Sequence, residues 1–190
     1  MGKYRYWKVV LDCILSIFLI ILFLPLLIIL FIIASLDTKS NGVFCQKRIG
    51  QFGKAFTIYK FKTIDDNERE SSRIGLLLRK FKLDELPQLF NILKCEMSFV
   101  GPRPDIEGYY DKLEGDSRRI LELKPGLTSD ASIKYSNEDA ILKQQKDPIF
   151  YNDEILFPDK VKMNLDYLEN MSFANDVKIL SKTIFKVFIK

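Results

Sequence analysis

The chain has 190 residues, 29 lysines and arginines against 25 aspartates and glutamates, and no histidine. This length allows one modest domain with a single core, together with whatever part of the chain lies in lipid. The formal net charge of +4 is too small to identify a nucleic-acid-binding protein, and we expect no nucleic-acid partner. Without histidine, Ser-His-Asp hydrolysis, HExxH zinc sites and histidine acid-base catalysis are excluded. Catalysis would use carboxylates, Lys, Arg, hydroxyls or an oxygen-ligated ion such as Mg²⁺.

The three cysteines, Cys13, Cys45 and Cys95, lie far apart in the sequence and show no CxxC spacing. Their odd number and spacing do not suggest a disulfide framework. We predict that they are reduced packing residues on the cytosolic side.

Residues 13–36 contain no charged side chain and are almost wholly Ile, Leu and Phe. We interpret residues 1–38 as a membrane-embedded segment and residues 39–190 as a cytoplasmic domain. A cleaved signal peptide is the alternative, but the apolar run is longer than a usual h-region, and Ala34-Ser35-Leu36 lacks an A-x-A pattern.

Pro25 divides this segment into two arms that are each too short to cross a bilayer. Proline cannot donate a hydrogen bond to the carbonyl of Ile21, so we expect a kink there. Basic residues flank the segment on both sides: Lys3, Arg5 and Lys8 before it, and Lys39, Lys47, Arg48 and Lys54 after it. Positive charge favours the cytoplasm, so a re-entrant, kinked helix suits both flanks. An ordinary transmembrane span remains the alternative.

Residues 43–63 predict a β-hairpin that turns at Gly50-Gln51-Phe52-Gly53. Lys60 shares a strand face with Phe56 and Ile58, which makes it a candidate phosphate contact. The alternative is a solvated lysine on an edge strand.

Two further segments have the pattern of amphipathic basic helices. Apolar residues at helical spacing in the first are Ile74, Leu77, Leu78 and Phe81, beside Arg73, Arg79 and Lys80. In the second, one stripe contains Val177, Leu180, Ile184 and Phe188, and another contains Lys178, Lys182, Lys186 and Lys190. Each helix could lie on anionic lipid or pack on the domain.

The segment KLDELPQLFNILK predicts a helix that begins near Asp84 and runs to Leu93, because Pro87 is tolerated best in a first helical turn. Asp84 and Glu85 would then lie at the positive end of the helix dipole, which stabilises carboxylates. The simpler alternative is an acidic N-cap with no further role.

Two rigid turns carry cations. Gly101-Pro102-Arg103-Pro104 can hold a guanidinium toward an anion, since Arg103 cannot easily join regular structure there. Residues 124–128, KPGLT, predict a second turn that bears Lys124, for which a plain surface turn is the alternative.

The chain contains, in order, a kinked apolar N-terminus, YKFKT, LDELPQLFNILK, MSFVGPRP, KPGLT and an SF-x-x-D-x-x-IL pattern at residues 172–180. In these motifs it resembles the bacterial sugar transferase family, the small monotopic polyprenyl-phosphate phosphoglycosyl transferases. The resemblance covers nearly the whole chain.

The resemblance implies transfer of a sugar phosphate from a UDP-sugar to undecaprenyl phosphate at the cytoplasmic face of the bacterial inner membrane, with release of UMP and a requirement for Mg²⁺. Asp84 and Glu85 match the family's catalytic pair, in which the aspartate forms a covalent phosphosugar intermediate. Glu85 would handle the metal or a proton, and both carboxylates are candidate Mg²⁺ ligands. Arg79 matches a phosphate-binding arginine, and Lys60 and Arg103 fall on basic motifs.

This sequence departs from the family pattern at three places. Leu24 stands where many relatives have a serine before the membrane proline, and Lys62 replaces the arginine of KFR. Residues 129–139 differ from the usual G-x-A-Q-V-N-G-R-N, with Ser136 in place of the arginine, so nucleotide contacts there cannot be carried over.

We therefore expect a mainly helical α+β fold with a re-entrant membrane helix, a short β-hairpin and amphipathic helices on the membrane surface. The expected partners are a UDP-sugar, polyprenyl phosphate and membrane lipids, and a homodimer is left open. Two other functions remain as alternatives: a non-catalytic membrane-anchored scaffold and a glycosyltransferase that releases UDP.

Overall fold

A computed structural model describes residues 2–65 and 71–188. The helices are α1 Gly2–Asp37, α2 Arg73–Lys80, α3 Gln88–Leu93, α4 Asp130–Lys134, α5 Glu138–Lys143, α6 Pro148–Tyr151, α7 Phe157–Glu169 and α8 Phe173–Phe188. The strands are β1 Val43–Ile49, β2 Ala55–Phe61, β3 Ser98–Val100 and β4 Gly126–Thr128. The described part is thus mainly helical with two small sheets, which confirms the fold class in its coarse form.

Helix α1 dominates the N-terminal part of the fold. Among the described residues it is the one helix long and apolar enough to cross a membrane by length and composition, with a mean hydropathy of 3.5 in its most apolar window. Only 17% of that window is buried. Helical structure continues through Pro25, so the chain does not divide into two separate helices there, and the kink remains a prediction.

The predicted hairpin is confirmed. β1 pairs with β2 in antiparallel register, from Val43 opposite Phe61 to Ile49 opposite Ala55. The turn lies at residues 51–53, and Phe52 adopts a left-handed φ of 59°. Ile58 is the most buried residue of the hairpin and joins the main core.

The second sheet was not predicted. β3 and β4 pair in parallel, and the backbones of Gly101 and Gly126 pass so closely that a Cβ on Gly126 would lie 2.1 Å from the nitrogen of Gly101. Only glycine fits such an approach. Residues 126–128 are therefore strand and not the predicted turn, because their backbone pairs with β3. This crossing also fixes the start of the turn that carries Arg103.

A helix, α2, forms at the first predicted amphipathic segment and begins after Ser72, whose Oγ accepts a hydrogen bond from the amide of Gly75. Its place on the membrane surface remains a prediction. Its apolar residues are mostly exposed: Ile74 by 44%, Leu76 by 58% and Leu77 by 54%, whereas Leu78 is 4% exposed. Among these four residues, Leu78 is buried in the core, and the other three remain largely exposed.

The segment after α2 differs from its prediction. Leu83–Glu85 is a 3₁₀ turn that follows Lys82 in a left-handed conformation, and α3 begins only after Pro87. The amides of Glu85 and Leu86 bond three residues back, to Lys82 and Leu83, and Pro87 has no amide to continue the ladder. The prediction that Asp84 begins the helix is wrong, so the dipole of α3 does not hold its carboxylate.

Buried apolar residues form three clusters. The largest joins the hairpin, α3, β3, α7 and α8, and a second joins the C-terminal half of α1 to α2 and β2. The third lies under two 3₁₀ segments, Tyr110–Lys112 and Gly115–Glu122. The second cluster contains Leu27, Leu30, Ala34, Phe61 and Leu78.

Of the two alternatives predicted for the C-terminal helix α8, packing on the domain is observed, and contact with lipid remains a prediction. Its face with Asp176 and Ile179 is buried, so the helix packs on the domain. Of the predicted apolar stripe, Val177 is 44% and Ile184 is 59% exposed. The face that could lie on lipid is therefore uncovered among the described residues.

A buried polar cluster connects the start of α1 to α8, and we call it the helix-anchor cluster. Its members are Tyr4, Lys8, Asp12, Ser98, Tyr167 and Asp176. Lys8 pairs with Asp176, whose carboxylate also accepts hydrogen bonds from Tyr4 at 2.7 Å and Tyr167 at 2.6 Å. Ser98 donates to Asp12 at 2.6 Å, so every charged group of the cluster has a partner.

All three cysteines are free thiols. Cys45 and Cys95 are exposed, so the prediction that they are packing residues is wrong for these two, while Cys13 is half-buried.

Candidate functional site

The five residues predicted for the site line one cleft of about 1040 Å³ between the hairpin, α2 and the 3₁₀ turn. They are Lys60, Arg79, Asp84, Glu85 and Arg103. These residues are separated by as many as 43 positions in sequence, and the hairpin, the turn before α3 and the turn after β3 bring them together.

The cleft is rich in cations. Among the described residues that line it are eight cations, Arg48, Lys60, Lys62, Arg79, Lys80, Lys82, Arg103 and Lys186, and four carboxylates, Asp65, Asp84, Glu85 and Asp139. The difference, 8 − 4, is a surplus of +4 that equals the formal net charge of the whole chain. Such a surplus favours a ligand with several negative charges, such as a diphosphate.

Glu85 forms ion pairs with three cations of the cleft. Its Oε1 accepts hydrogen bonds from Lys60 Nζ at 3.0 Å and from Arg103 Nη2 at 2.8 Å, and Lys82 Nζ lies 3.9 Å away. The side chain of Glu85 is only 8% exposed, whereas that of Arg103 is 48% exposed. The guanidinium therefore keeps part of its surface open to the cleft.

Burial alone would raise the pKa of Glu85, but Arg103, Lys60 and Lys82 outweigh burial and lower this pKa to about 2. Glu85 is therefore ionised throughout the physiological range. Its carboxylate holds the cations in place, and an acid with so low a pKa is a poor proton donor or acceptor at neutral pH. This argues against the proton-handling role suggested for Glu85.

Lys60 is a partly buried lysine, with 19% of its side chain exposed. Burial lowers its pKa, and the charge of Glu85 opposes that shift. The alternative of a solvated edge-strand lysine is wrong, because the ammonium group forms an ion pair inside the cleft.

Asp84 lies beside these charges, yet its Oδ1 is buried with no hydrogen-bond partner among the described residues. Burial raises the pKa of this carboxyl group, and the adjacent charge of Glu85 raises it further. A buried, unpaired carboxylate oxygen is costly and rare in folded proteins, and such groups mark sites that receive a ligand. The structure thus distinguishes Asp84, which has an unpaired oxygen, from Glu85, which is paired with cations.

Arg79 enters the cleft from α2 and donates from Nε to Thr63 Oγ1 at 2.9 Å. This contact fixes the guanidinium against the end of β2. Gly75, one turn earlier, allows α2 to approach so closely, because a Cβ there would lie 2.3 Å from the carbonyl oxygen of Thr63.

Five of the described cations that line the cleft were not predicted as site residues: Arg48, Lys62, Lys80, Lys82 and Lys186. Lys82 lies within the recognised motif region, and its place two residues before Asp84 was a usable signal. Lys186 was interpreted only as part of a lipid-facing stripe, and the cleft position at the end of α8 depends on the tertiary packing of that helix.

A second cleft of about 540 Å³ opens beside the first and shares Arg48, Lys82, Arg103, Ser136 and Asp139 with it. Its other walls come from the divergent 129–139 segment and α7. The region where this sequence departs from the family pattern thus lies directly next to the cleft that contains Asp84 and Glu85.

The two carboxylates suit a magnesium ion better than a structural metal. No group of three or more His, Cys, Asp or Glu side chains that could hold a metal occurs in residues 2–65 and 71–188. Mg²⁺ is commonly held by one or two carboxylates together with substrate phosphates. The unpaired Oδ1 of Asp84 fits such a site, and Glu85 lines the same cleft beside it.

Comparison with known proteins places these features in a family. The family model described as bacterial sugar transferase matches residues 3–190. The uncharacterized sugar transferase EpsL of Bacillus subtilis is 38% identical over 85% of this chain and 78% of its own length. The UDP-glucose:undecaprenyl-phosphate glucose-1-phosphate transferase of Klebsiella pneumoniae is 32% identical over 94% of this chain.

The UDP-N-acetylgalactosamine-undecaprenyl-phosphate N-acetylgalactosaminephosphotransferase of Aeromonas hydrophila is 29% identical over 95% of this chain. This chain spans 39% of the length of the Klebsiella relative and 43% of the Aeromonas relative. Because the family model covers the membrane helix, the cleft and the C-terminal helix together, the chain belongs to the bacterial sugar transferase family.

Proposed function

We propose that the protein transfers a sugar 1-phosphate from a UDP-sugar to undecaprenyl phosphate, giving a polyprenyl-diphosphate sugar and UMP. The observation that carries this proposal is the buried, unpaired oxygen of Asp84 inside a cleft with a surplus of positive charge. Two relatives are named for the transfer of a sugar phosphate between these two classes of substrate.

In the first step, an Asp84 carboxylate oxygen attacks the sugar-bearing phosphorus of the donor. The bond between this phosphorus and the bridging oxygen breaks, and UMP leaves with the electron pair. The product is an acyl phosphate that joins Asp84 to the sugar phosphate. A carboxylate that has no hydrogen bond at Oδ1 loses none when it attacks, which favours Asp84 over Glu85 as the nucleophile.

The cations make this approach feasible. Two unit charges 4 Å apart repel by about 1 kcal/mol in water and about 4 kcal/mol at an intermediate dielectric, so a carboxylate near a diphosphate needs compensation. Arg103 is held by Glu85 and still exposes almost half of its side chain, and Arg79 is fixed by Thr63. Both can therefore bind phosphate oxygens without a large rearrangement.

In the second step, a phosphate oxygen of undecaprenyl phosphate attacks the same phosphorus and the bond to Asp84 breaks. The carboxylate is restored and the sugar phosphate leaves on the lipid. One cleft can serve a soluble donor and a lipid acceptor in turn, which predicts ping-pong kinetics.

We propose that Mg²⁺ assists this reaction, held by Asp84 and Glu85 together with donor phosphate oxygens. When bound, the ion would neutralise negative charge on the diphosphate. The Lys60 and Arg103 contacts keep Glu85 ionised, whereas burial beside Glu85 raises the pKa of Asp84, whose charge the bound ion would help to stabilise.

We further propose that α1 enters the membrane and returns to the cytoplasmic face, so that the protein is monotopic. Lys8, near the start of α1, pairs with Asp176 of the domain, and Ala34, near its end, packs in the cluster that contains Phe61. A straight span would carry one of these ends across roughly 30 Å of hydrocarbon, away from the domain. Contact of both ends with one domain favours the re-entrant arrangement over the span.

The exposed apolar faces of α2 and α8 suit contact with the lipid surface. Phe81, just after α2, and Val187, near the end of α8, both line the cleft. If the two helices lie on the membrane, the cleft opens close to the headgroups, where a polyprenyl phosphate is reached.

The sequence left open whether two chains associate as a homodimer. Light scattering in detergent would measure the oligomeric state.

The two alternatives are less well supported. A non-catalytic scaffold does not require an unpaired buried carboxylate, which costs folding stability. A glycosyltransferase that releases UDP attacks the anomeric carbon, and it needs no nucleophile that reaches phosphorus.

The decisive experiment incubates the purified full-length protein with a donor and Mg²⁺ in the absence of lipid acceptor, and weighs the intact chain. UDP-N-acetylgalactosamine and UDP-glucose are the first donors to try, because relatives are named for them. We expect a mass increase of one sugar phosphate with one equivalent of UMP, both absent in Asp84→Asn. Asp116→Asn is the matched control, because the side chain of Asp116 is 74% exposed and lies outside the cleft.

Release of UDP with either donor would instead establish a glycosyltransferase. Lack of nucleotide release from a panel of UDP-sugars with undecaprenyl phosphate, with membrane binding unaffected by Asp84→Asn, would favour the scaffold. An adduct that forms equally in Asp84→Asn would disprove the assigned nucleophile.

A further inference from the structure

Two thiols meet where the membrane helix crosses the turn that follows α3. The Sγ atoms of Cys13 and Cys95 lie 3.5 Å apart, although the residues are 82 positions apart in sequence. A disulfide requires about 2.05 Å between its sulfurs, so the two atoms are about 1.5 Å from bonding distance. The approach is set by tertiary structure and not by a CxxC motif.

Contacts on both sides fix this approach. Asp12, the residue before Cys13 in α1, accepts a hydrogen bond from Ser98, three residues after Cys95. One turn further along α1, Ser16 Oγ donates to the carbonyl of Leu89 at 2.7 Å. Ser16 and Ser98 are both buried, so the backbone segments that carry the thiols are anchored on either side.

The two thiols differ in accessibility. Cys95 is exposed and occupies a left-handed turn with a φ of 60°, which ends α3. Cys13 is half-buried against it. An oxidant in solution therefore reaches Cys95 first, and Cys13 is positioned to resolve the product.

We propose that Cys13 and Cys95 are an oxidation site, at which a low-molecular-weight disulfide converts the pair into an intramolecular disulfide that ties α1 to the catalytic domain. This inference does not rest on the proposed function.

The chemistry is thiol–disulfide exchange. The Cys95 thiolate attacks one sulfur of the small disulfide, a mixed disulfide forms at Cys95, and one small thiolate leaves. The Cys13 thiolate then attacks the Cys95 sulfur and displaces the second small thiolate. Two protein thiols are oxidised, the small disulfide is reduced to two thiols, and the two protein protons go to the released thiolates.

The bond would close a loop that contains the hairpin, α2 and the Asp84 turn. A native-compatible cross-link over so long a loop stabilises the folded state, chiefly by restricting the unfolded chain. In the membrane it would also hold the α1 segment around Cys13 in fixed register with α3.

The test uses full-length Cys45→Ser protein in membranes, in which Cys13 and Cys95 are the remaining two of the three cysteines. Oxidised glutathione is added, free thiols are blocked with N-ethylmaleimide, and the digest is weighed. We expect a Cys13–Cys95 linked peptide within one chain, loss of both alkylation sites, and full return of both after dithiothreitol. A mixture of isotopically heavy and light chains distinguishes linkage within a chain from linkage between chains.

The control is a Cys13→Ser/Cys45→Ser double variant, in which we expect Cys95 to retain one glutathione. The oxidised Cys45→Ser protein should also unfold at a midpoint higher by roughly 4 °C or more. The proposal is overturned if both thiols stay alkylated, if each carries its own glutathione, if the linked peptides mix heavy and light chains, or if the midpoint fails to rise.

Discussion

The helix-anchor cluster and the cleft both place carboxylates beside lysines in buried surroundings, but they differ in how completely the carboxylates are satisfied. In the helix-anchor cluster, Asp176 accepts hydrogen bonds at both oxygens and Asp12 has Ser98 and Lys8 beside it. In the cleft, Glu85 is paired with cations, whereas Oδ1 of Asp84 has no partner among the described residues. The charged groups of the helix-anchor cluster are paired with one another, whereas the cleft keeps a carboxylate oxygen that can receive a ligand.

The difference separates the source of stability from the source of reactivity. A buried charge network that satisfies its members holds elements in place, and removing one partner is strongly destabilising. An unpaired buried carboxylate weakens the fold and is retained where its reactivity is used. Four predictions test this difference between the two clusters.

The largest expected effect comes from Asp84→Asn. Loss of a covalent nucleophile should lower UMP release by at least about 1,000-fold. Because burial raises the pKa of Asp84, the ionised form is disfavoured in the folded protein, so the neutral amide should leave the thermal midpoint unchanged or raise it. Parallel UMP-release and thermal-denaturation assays check both parts. A large fall in the midpoint would mean that Asp84 stabilises the fold.

Lys8→Met should have the opposite profile. It leaves Asp12 and Asp176 buried without their ammonium partner and should lower the free energy of unfolding by about 3–5 kcal/mol. Denaturant unfolding in detergent measures this loss, and the activity per folded molecule should be kept. The matched control is Lys182→Met, which removes a pair with Asp130 at 2.8 Å on the surface and should cost less than about 1 kcal/mol. Equal effects of the two changes would contradict the helix-anchor role.

Glu85→Gln should be less destabilising, by about 1–3 kcal/mol, because Arg103 and Lys82 are partly exposed and can be solvated. The pKa of Glu85 is lowered from 4.5 to about 2, so the stability that its charge provides is present above pH 4.5 and is lost as pH falls toward 2. Unfolding measured from pH 6 to pH 2 should show this loss in the wild type and a smaller one in the variant. Parallel curves for the two proteins would contradict the ion-pair account.

The smallest predicted effect is the pH dependence of the first step. UMP release should fall about tenfold per pH unit below the pKa of Asp84, since the protonated acid is not nucleophilic. Burial places that pKa above 3.8, and Glu85 remains ionised until near pH 2, so Asp84 is the first of the two to be protonated. Stopped-flow UMP release without acceptor measures the profile. A rate at pH 3 equal to the rate at neutral pH would contradict the assignment.

The long apolar helix α1, the hairpin, α2 and the five predicted residues that line one cleft could be identified from the sequence. These features depend on local signals: an uncharged apolar run, a glycine-bounded turn, and the order of motifs around Asp84 and Arg103. The start of α3 could not be placed, because the left-handed turn at Lys82 and the missing amide of Pro87 compete with helical periodicity. The β3–β4 pairing joins residues far apart in the chain, and the sequence of neither short strand indicates which strand it pairs with.

By itself, the sequence determined that this is a membrane-associated member of the bacterial sugar transferase family with an acidic pair and separate basic motifs. The difference between Asp84 and Glu85 depends on the tertiary structure, in which Glu85 forms ion pairs with cations and an Asp84 oxygen is unpaired. The tertiary structure also decided that Lys8 meets Asp176 and that Cys13 meets Cys95. The physical reason is that residue type fixes which charges a chain carries, whereas packing of distant segments fixes which of those charges are buried, paired or left open.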